Sequence, residues 1–267
     1  MRSARAVLSL IRWHNGLIAA AGVLLGAWWA AGSVRSGTTL LAALAAIALA
    51  SYANAFNDWC DRDIDRVAHP DRPLPRGALA PRVALLIARV AAVLGVVLSA
   101  MAHPVLGIVA LVVVALMRAY SLRLKARGVI GNIVVAVLAS MPFLYGAWSV
   151  GEPAAALPLL ALAMPLHFAR EIAKDLEDAR GDAPARRTLP LVFGPRPARG
   201  AFVAALLVFV AVLVPFAVPR PRFALLVVPA LAFCAAAAWR VLAGHRGSPA
   251  LLKTAMLWAM AALVIGT

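Results

Sequence analysis

Charge is scarce in this chain. Only 14% of its 267 residues are Asp, Glu, Lys or Arg, against roughly 25% in an ordinary soluble domain, which argues against a fold that meets water on all sides. Cysteine is scarcer still: Cys60 and Cys234 are the two present, far apart and in different predicted elements, which excludes a disulfide framework. Acid is short relative to base, with 11 Asp and Glu against 26 Lys and Arg, for a formal net charge of +15. What acid there is lacks the central Gly and terminal Glu of a twelve-residue EF-hand loop, which excludes that mode of calcium binding.

Long apolar runs take the place of the missing charge. Mean hydropathy is +0.89 and 64% of the residues are apolar, the composition of a polytopic helical membrane protein. Hydropathy predicts nine spans, at 8–31, 38–56, 82–101, 103–118, 129–148, 154–172, 200–217, 223–243 and 250–266. Small residues dominate them, which suits close helix approach in lipid. Pro142, Pro158, Pro165 and Pro215 fall inside spans, where neighbouring helices can satisfy the freed carbonyls. Arg2 and Arg5 ahead of an apolar stretch give the N-terminus a superficial likeness to a signal peptide. The run is long enough to span, however, and Arg12, Trp13, His14 and Asn15 interrupt its start. The expected organisation is a single transmembrane domain over 1–267.

The basic surplus has a direction. With the N-terminus in the cytoplasm, three of the 26 Lys and Arg residues, Arg35, Arg220 and Arg222, face outward and the other 23 face inward. That split follows the positive-inside rule and puts loops 57–81, 119–128, 173–199 and 244–249 in the cytoplasm, with a cell (inner) membrane as the expected location. It assigns the charge to anionic membrane lipids and an anionic substrate, and not to nucleic acid.

Acid is even more unevenly placed. Asp58, Asp61, Asp63, Asp65 and Asp71 follow the second span, Glu171, Asp175, Glu177, Asp178 and Asp182 follow the sixth, and Glu152 alone lies elsewhere. If the second helix continues past residue 56, Asn57, Asp61 and Asp65 stack at four-residue spacing, with Asp58 three before Asp61, while Asp63 points away. Asp175, Asp178 and Asp182 form a second stacked set. Like charges at such spacing repel unless a cation lies between them. Magnesium fits, since it takes hard oxygen ligands, keeps several waters and bridges carboxylates to phosphates. An ion transporter would place ionisable groups near mid-membrane rather than at helix ends, and a scaffold would need no clustered acid.

These residues resemble the UbiA superfamily of intramembrane prenyltransferases. "NDWCDRDID" fits that family's NDxxDxxxD pattern through Asn57, Asp58, Asp61 and Asp65, and "KDLEDARGD" is similar to its second aspartate motif. "IRWHN" at 11–15, "DRPLPRG" at 71–77, "YSLRLKARGVIGN" at 120–132 and "TLPLVFG" at 188–194 extend the resemblance over nearly the whole chain. The resemblance implies an all-α fold of nine transmembrane helices around a central cavity with cytoplasmic caps. It also implies Mg²⁺-dependent transfer of a prenyl group from a prenyl diphosphate to a lipophilic acceptor. On that implication Asn57, Asp58, Asp61 and Asp65 hold one Mg²⁺ and Asp175, Asp178 and Asp182 the other. Arg72, Lys125 and Lys174 contact the diphosphate, Tyr120 stands near the leaving group, and Asn15 and Asn132 bind substrate. Asp61, Asp65, Asp178, Asp182, Tyr120 and Lys125 form the catalytic set. His167 is read as a packed histidine in preference to an acceptor contact. The loop sequences look most like the branch making digeranylgeranylglyceryl phosphate, with aromatic and chlorophyll-type acceptors as the alternative.

Overall fold

Every regular element is helical in the computed structural model, which describes residues 2–34, 37–179 and 188–266. The chain divides into two compact units. The first, Met1–Leu124 with Met141–Ala156, contains α1 (Arg2–Ile11), α2 (Trp13–Ala31), α3 (Gly37–Asp61), α4 (Asp65–Ala68), α5 (Pro81–Ala102), α6 (Pro104–Leu122) and the second half of α7 (Val129–Ser149). Burial identifies its central helix. In the most apolar stretch of each span, 61% of α3 is buried against 28% of α5 and 22% of α6, and α1, α2, α5 and α6 all pack on α3. Alanine makes this possible, since Ala42, Ala45 and Ala55 on α3 are fully enclosed and small side chains let backbones approach. On α5 the row Leu86, Val90, Val93, Val97 and Met101 stays exposed, an apolar face that only lipid would solvate favourably. Glycine is required where α2 meets α7: a Cβ on Gly26 would overlap the Phe143 carbonyl oxygen, and one on Gly146 the Val23 carbonyl oxygen.

The first expected span, 8–31, is bent instead of straight. Residues Ala4–Ile11 and Trp13–Ala31 meet at 48° across Arg12, the one non-glycine residue with positive φ (48°) among the described residues. A left-handed conformation costs an L-residue about 1–2 kcal/mol. Two bonds offset it: Arg12 Nη1 donates to Asn54 Oδ1 at 3.1 Å and Nη2 to Asp58 Oδ1 at 2.6 Å. Asn54 Nδ2 donates to the Ile11 carbonyl at 3.1 Å, occupying a carbonyl at the helix end. Among the described residues eight further helices are long and apolar enough to cross a membrane, and the bent pair, counted as one span, brings the number to nine.

The second unit, Lys125–Ser140 with Leu157–Thr267, contains the first half of α7, then α8 (Leu157–Asp178), α9 (Leu189–Phe193), α10 (Pro195–Ala217), α11 (Pro221–Leu226), α12 (Val228–Ala243) and α13 (Ser248–Gly266). Here α8 packs on α9, α10 and α13. The expected span 223–243 steps at Val227, between α11 and α12, and Trp258 Nε1 donates to the Leu226 carbonyl at the step, at 2.7 Å. Pro142, Pro165 and Pro215 lie inside helices, as expected, and Pro158 falls in the first turn of α8.

Candidate functional site

The first acidic set is built at the end of α3. This helix continues past residue 56 but stops at Asp61, so Asn57, Asp58 and Asp61 share it while Asp65 opens the separate short helix α4. Asn57 Nδ2 donates to Asp61 Oδ2 at 3.0 Å, the contact expected of residues four apart. Asp58, Asp61 and Asp65 are 3%, 6% and 1% exposed, whereas Asp63 is exposed and meets the surface arginines Arg62 and Arg66, at 3.6 and 3.9 Å. Burying three carboxylates is costly without cationic partners. Arg12 supplies one for Asp58, and Arg72 Nη1 lies 2.6 Å from Asp65 Oδ2 and 3.5 Å from Asp58 Oδ1.

The turn segment after α4 positions Arg72. Gly77 turns the chain with φ of 70°, a conformation glycine adopts without strain, and Leu74 and Leu79 are buried in a cluster with Ala6, Leu10, Ala55 and Phe56. The "DRPLPRG" stretch is thereby pinned to α1 and α3 by Leu74 within it and Leu79 just after it, and Arg72 reaches back to the acidic set. On α3, Tyr52, Phe56 and Trp59 stack in sequence with centroids 5.5 and 5.8 Å apart, which stiffens the helix as it enters the motif.

The second acidic set is held differently. Asn132 on α7 is 6% exposed and its Nδ2 donates to Asp175 Oδ2 at 2.9 Å. Asp175 and Asp178 are half-buried on the last turn of α8. Lys174 lies 4.0 Å from the buried Glu171, which also pairs with Arg170 at 2.8 Å. Glu177 is structural, because its Oε1 accepts from the backbone N–H groups of Gly247 and Ser248, at 2.9 and 3.0 Å. Those amides open α13, so Glu177 caps that helix and ties the end of α8 to it.

The other expected site residues are scattered over the elements. Asn15 is in the first turn of α2, Tyr120 is half-buried near the end of α6, and Lys125 lies in the short 3₁₀ turn Leu124–Arg127. His167 is half-buried on α8. Asp182 lies outside the described residues. The reading of the sequence missed Arg12 as a partner of the motif, along with Asn54 and Glu177. Asn54 carried a usable signal, since it stands four before Asp58 and so shares its helix face. Glu177 carried none, its partners being backbone amides 70 and 71 residues away.

The donor chemistry fits magnesium. The first set supplies three buried carboxylates and an amide oxygen against two arginines, which leaves an excess of negative charge in hard oxygen ligands. Among the described residues no three acidic, His or Cys side chains converge as a protein-only metal cage. Magnesium does not require one, because it is commonly bound through one or two carboxylates together with water and substrate phosphate.

Comparison with known proteins gives a consistent result. A family model described as the UbiA prenyltransferase family matches residues 19–261. The digeranylgeranylglyceryl phosphate synthase of Natronomonas pharaonis is 40% identical over 282 aligned residues, covering 100% of this chain and 98% of that protein. The protein of the same name from Halobacterium salinarum is 38% identical, again over 100% of this chain and 98% of its own length. Among solved structures, a UbiA homologue from Archaeoglobus fulgidus bound to GPP and Mg²⁺ superposes with a TM-score of 0.75 at 17% identity, covering 98% of each chain.

Proposed function

The chain belongs to the UbiA prenyltransferase family, and we propose from that premise that its acceptor is geranylgeranylglyceryl phosphate. The observation that carries this reading is the 40% identity, over the whole chain, to an enzyme named for the product of that transfer. The protein is an integral, multi-pass membrane prenyltransferase. In the proposed reaction the bond between C1 of the prenyl group and the diphosphate oxygen breaks. A bond from that carbon to the free glyceryl hydroxyl oxygen forms, the hydroxyl proton passes to a motif carboxylate, and diphosphate leaves.

Asn57, Asp58, Asp61 and Asp65 are the proposed ligands of one Mg²⁺, and Asp175, Asp178 and Asp182 of the other. Mg²⁺ held by these residues would supply Lewis-acid neutralisation of the leaving diphosphate. The chain's own cations add to this. Arg72, already fixed by Asp65 and Asp58, presents a guanidinium whose planar fork suits phosphate oxygens, and Lys125 and Lys174 contribute point charges. Tyr120 offers a ring face and a hydroxyl beside the leaving group, and Asn15 and Asn132 orient substrate through their amides. The apolar helices exclude the water that would otherwise quench an allylic cation.

The proposed orientation puts both acidic sets on the cytoplasmic side of the cell membrane. Cysteine labelling of intact cells, with Cys60 and Cys234 replaced, is expected to modify a probe at Arg220 and spare one at Arg76; the reverse pattern inverts the topology. The acceptor is tested by competition. Purified protein is given a geranylgeranyl donor, geranylgeranylglyceryl phosphate, homogentisate and a chlorophyllide together, and the product is identified by mass spectrometry. The glyceryl ether is expected, and prenylation of the aromatic or tetrapyrrole acceptor alone would reject this branch.

A further inference from the structure

Within the first unit, next to its acidic set, is a pocket of about 650 Å³ bounded by Arg5, Arg12, Arg72 and Asp58. Its shape follows from the bend. On α1, Ala6 and Leu10 are fully buried, so Arg5, Leu8, Ser9 and Arg12, at helical spacing on another face, line the pocket. Trp13 and His14, at the uncapped start of α2, complete that wall.

Two of the three guanidiniums are fixed before any ligand arrives. Arg12 is held by Asn54 and Asp58, and Arg72 by Asp65. Arg5 is exposed and pairs with no carboxylate among the described residues. The lining thus carries three positive groups and one negative, a surplus of two positive charges, part of which Asp65 withdraws through Arg72. Three guanidiniums around one cavity, including Arg5 with no carboxylate partner among the described residues, suit a group with three free oxygens and nearly two negative charges, the terminal phosphate monoester. The wall is not wholly polar. Leu8 and Trp13 line the pocket yet remain 47% and 52% exposed, apolar surface on which a hydrocarbon chain can lie as it leaves a headgroup.

We propose that this pocket binds the phosphate monoester headgroup of a lipid, with Arg5 and Arg12 on the phosphate and the chain crossing Leu8 and Trp13. The identification of that lipid as the acceptor rests on the function proposed above. Arg72 and Asp58 line the pocket and belong to the acidic set as well, so the lipid phosphate would lie directly beside the proposed metal ligands.

The test measures binding to full-length protein in detergent by calorimetry. The probes are a short-chain alkylglycerol phosphate, the corresponding phosphodiester lipid and inorganic phosphate. The wild type is expected to bind the monoester lipid at least about tenfold more tightly than the other two. Arg5→Gln is expected to weaken that binding roughly tenfold, the scale of one charge-assisted bond. It should raise the acceptor KM by a similar factor while the KM for prenyl diphosphate and the melting temperature stay unchanged, and Arg5→Lys should recover part of the loss. Equal binding of the phosphodiester makes the site one for bulk anionic lipid, and equal binding of inorganic phosphate makes it a simple anion site; either overturns the proposal. Unchanged monoester binding in Arg5→Gln overturns it as well. If the probe binds through Arg5 but only aromatic acceptors are prenylated, the acceptor assignment fails and the lipid phosphate site stands. If the glyceryl ether forms and Arg5→Gln changes neither probe binding nor acceptor KM, the pocket fails and the function stands.

Discussion

The two acidic sets look alike in sequence, each with aspartates spaced three and four apart after an apolar span, but they are held by different chemistry. Asp58 and Asp65 are almost fully buried and paired with arginines drawn from other segments. Asp175 is half-buried and anchored by the neutral amide of Asn132, with Glu177 securing the helix that carries it. Ion pairing offsets the burial of the first set, whereas partial exposure and one amide suffice for the second. A shared sequence pattern therefore does not report a shared support.

The sharpest test of the common chemistry is removal of one carboxylate from each set. Asp61→Ala and Asp178→Ala are each expected to lower turnover by at least about a hundredfold, more than is typical for loss of an outer-shell metal partner, while the protein remains folded and membrane-inserted. Comparable turnover in either variant at saturating Mg²⁺ would show that the likeness between the sets is confined to their spelling.

The difference in support predicts unequal stability effects. Arg12→Gln leaves a buried carboxylate short of a partner and removes the bonds that offset a left-handed residue. Breaking a buried pair costs about 3–5 kcal/mol, and Arg12, with a side chain 29% exposed, is expected to give about 2 kcal/mol, read as a lower melting temperature in detergent. Asn132→Ala removes a single amide bond to a carboxylate and is expected to cost about 1–2 kcal/mol. If Asn132→Ala proves the more damaging of the two, the ranking of the supports is wrong.

Smaller effects refine the picture. Glu177→Gln keeps an acceptor for the α13 amides but loses its charge, so a cost below about 1 kcal/mol is expected, falling as salt is added. Asp63→Asn should change stability by no more than about 0.5 kcal/mol and leave turnover intact, because its arginine contacts are solvent-exposed. A large loss of activity in Asp63→Asn would mean that the acidic set extends beyond its buried members.

By itself the sequence determined the class of fold and the identity of the acidic motifs. Apolar runs long enough to cross a bilayer must become helices, because lipid offers the backbone no other hydrogen-bond partners, and aspartates at four-residue spacing on such a helix must stack on one face. This is why α3 could be expected to continue past residue 56, and why Asn57 meets Asp61 and Asp63 turns away. Only the tertiary structure decided which partners answer those carboxylates. Arg12 reaches Asp58 across 46 positions, Asn132 reaches Asp175 across 43, and Glu177 reaches α13 across 70. Hydropathy is silent on contacts of that range, and an arginine at the start of a span reads as an interruption until the chain bends around it. The break at Arg12 has the same origin: local propensity favours an unbroken helix over 8–31, and a buried carboxylate elsewhere in the unit offers the bonds that make bending it the lower-energy choice.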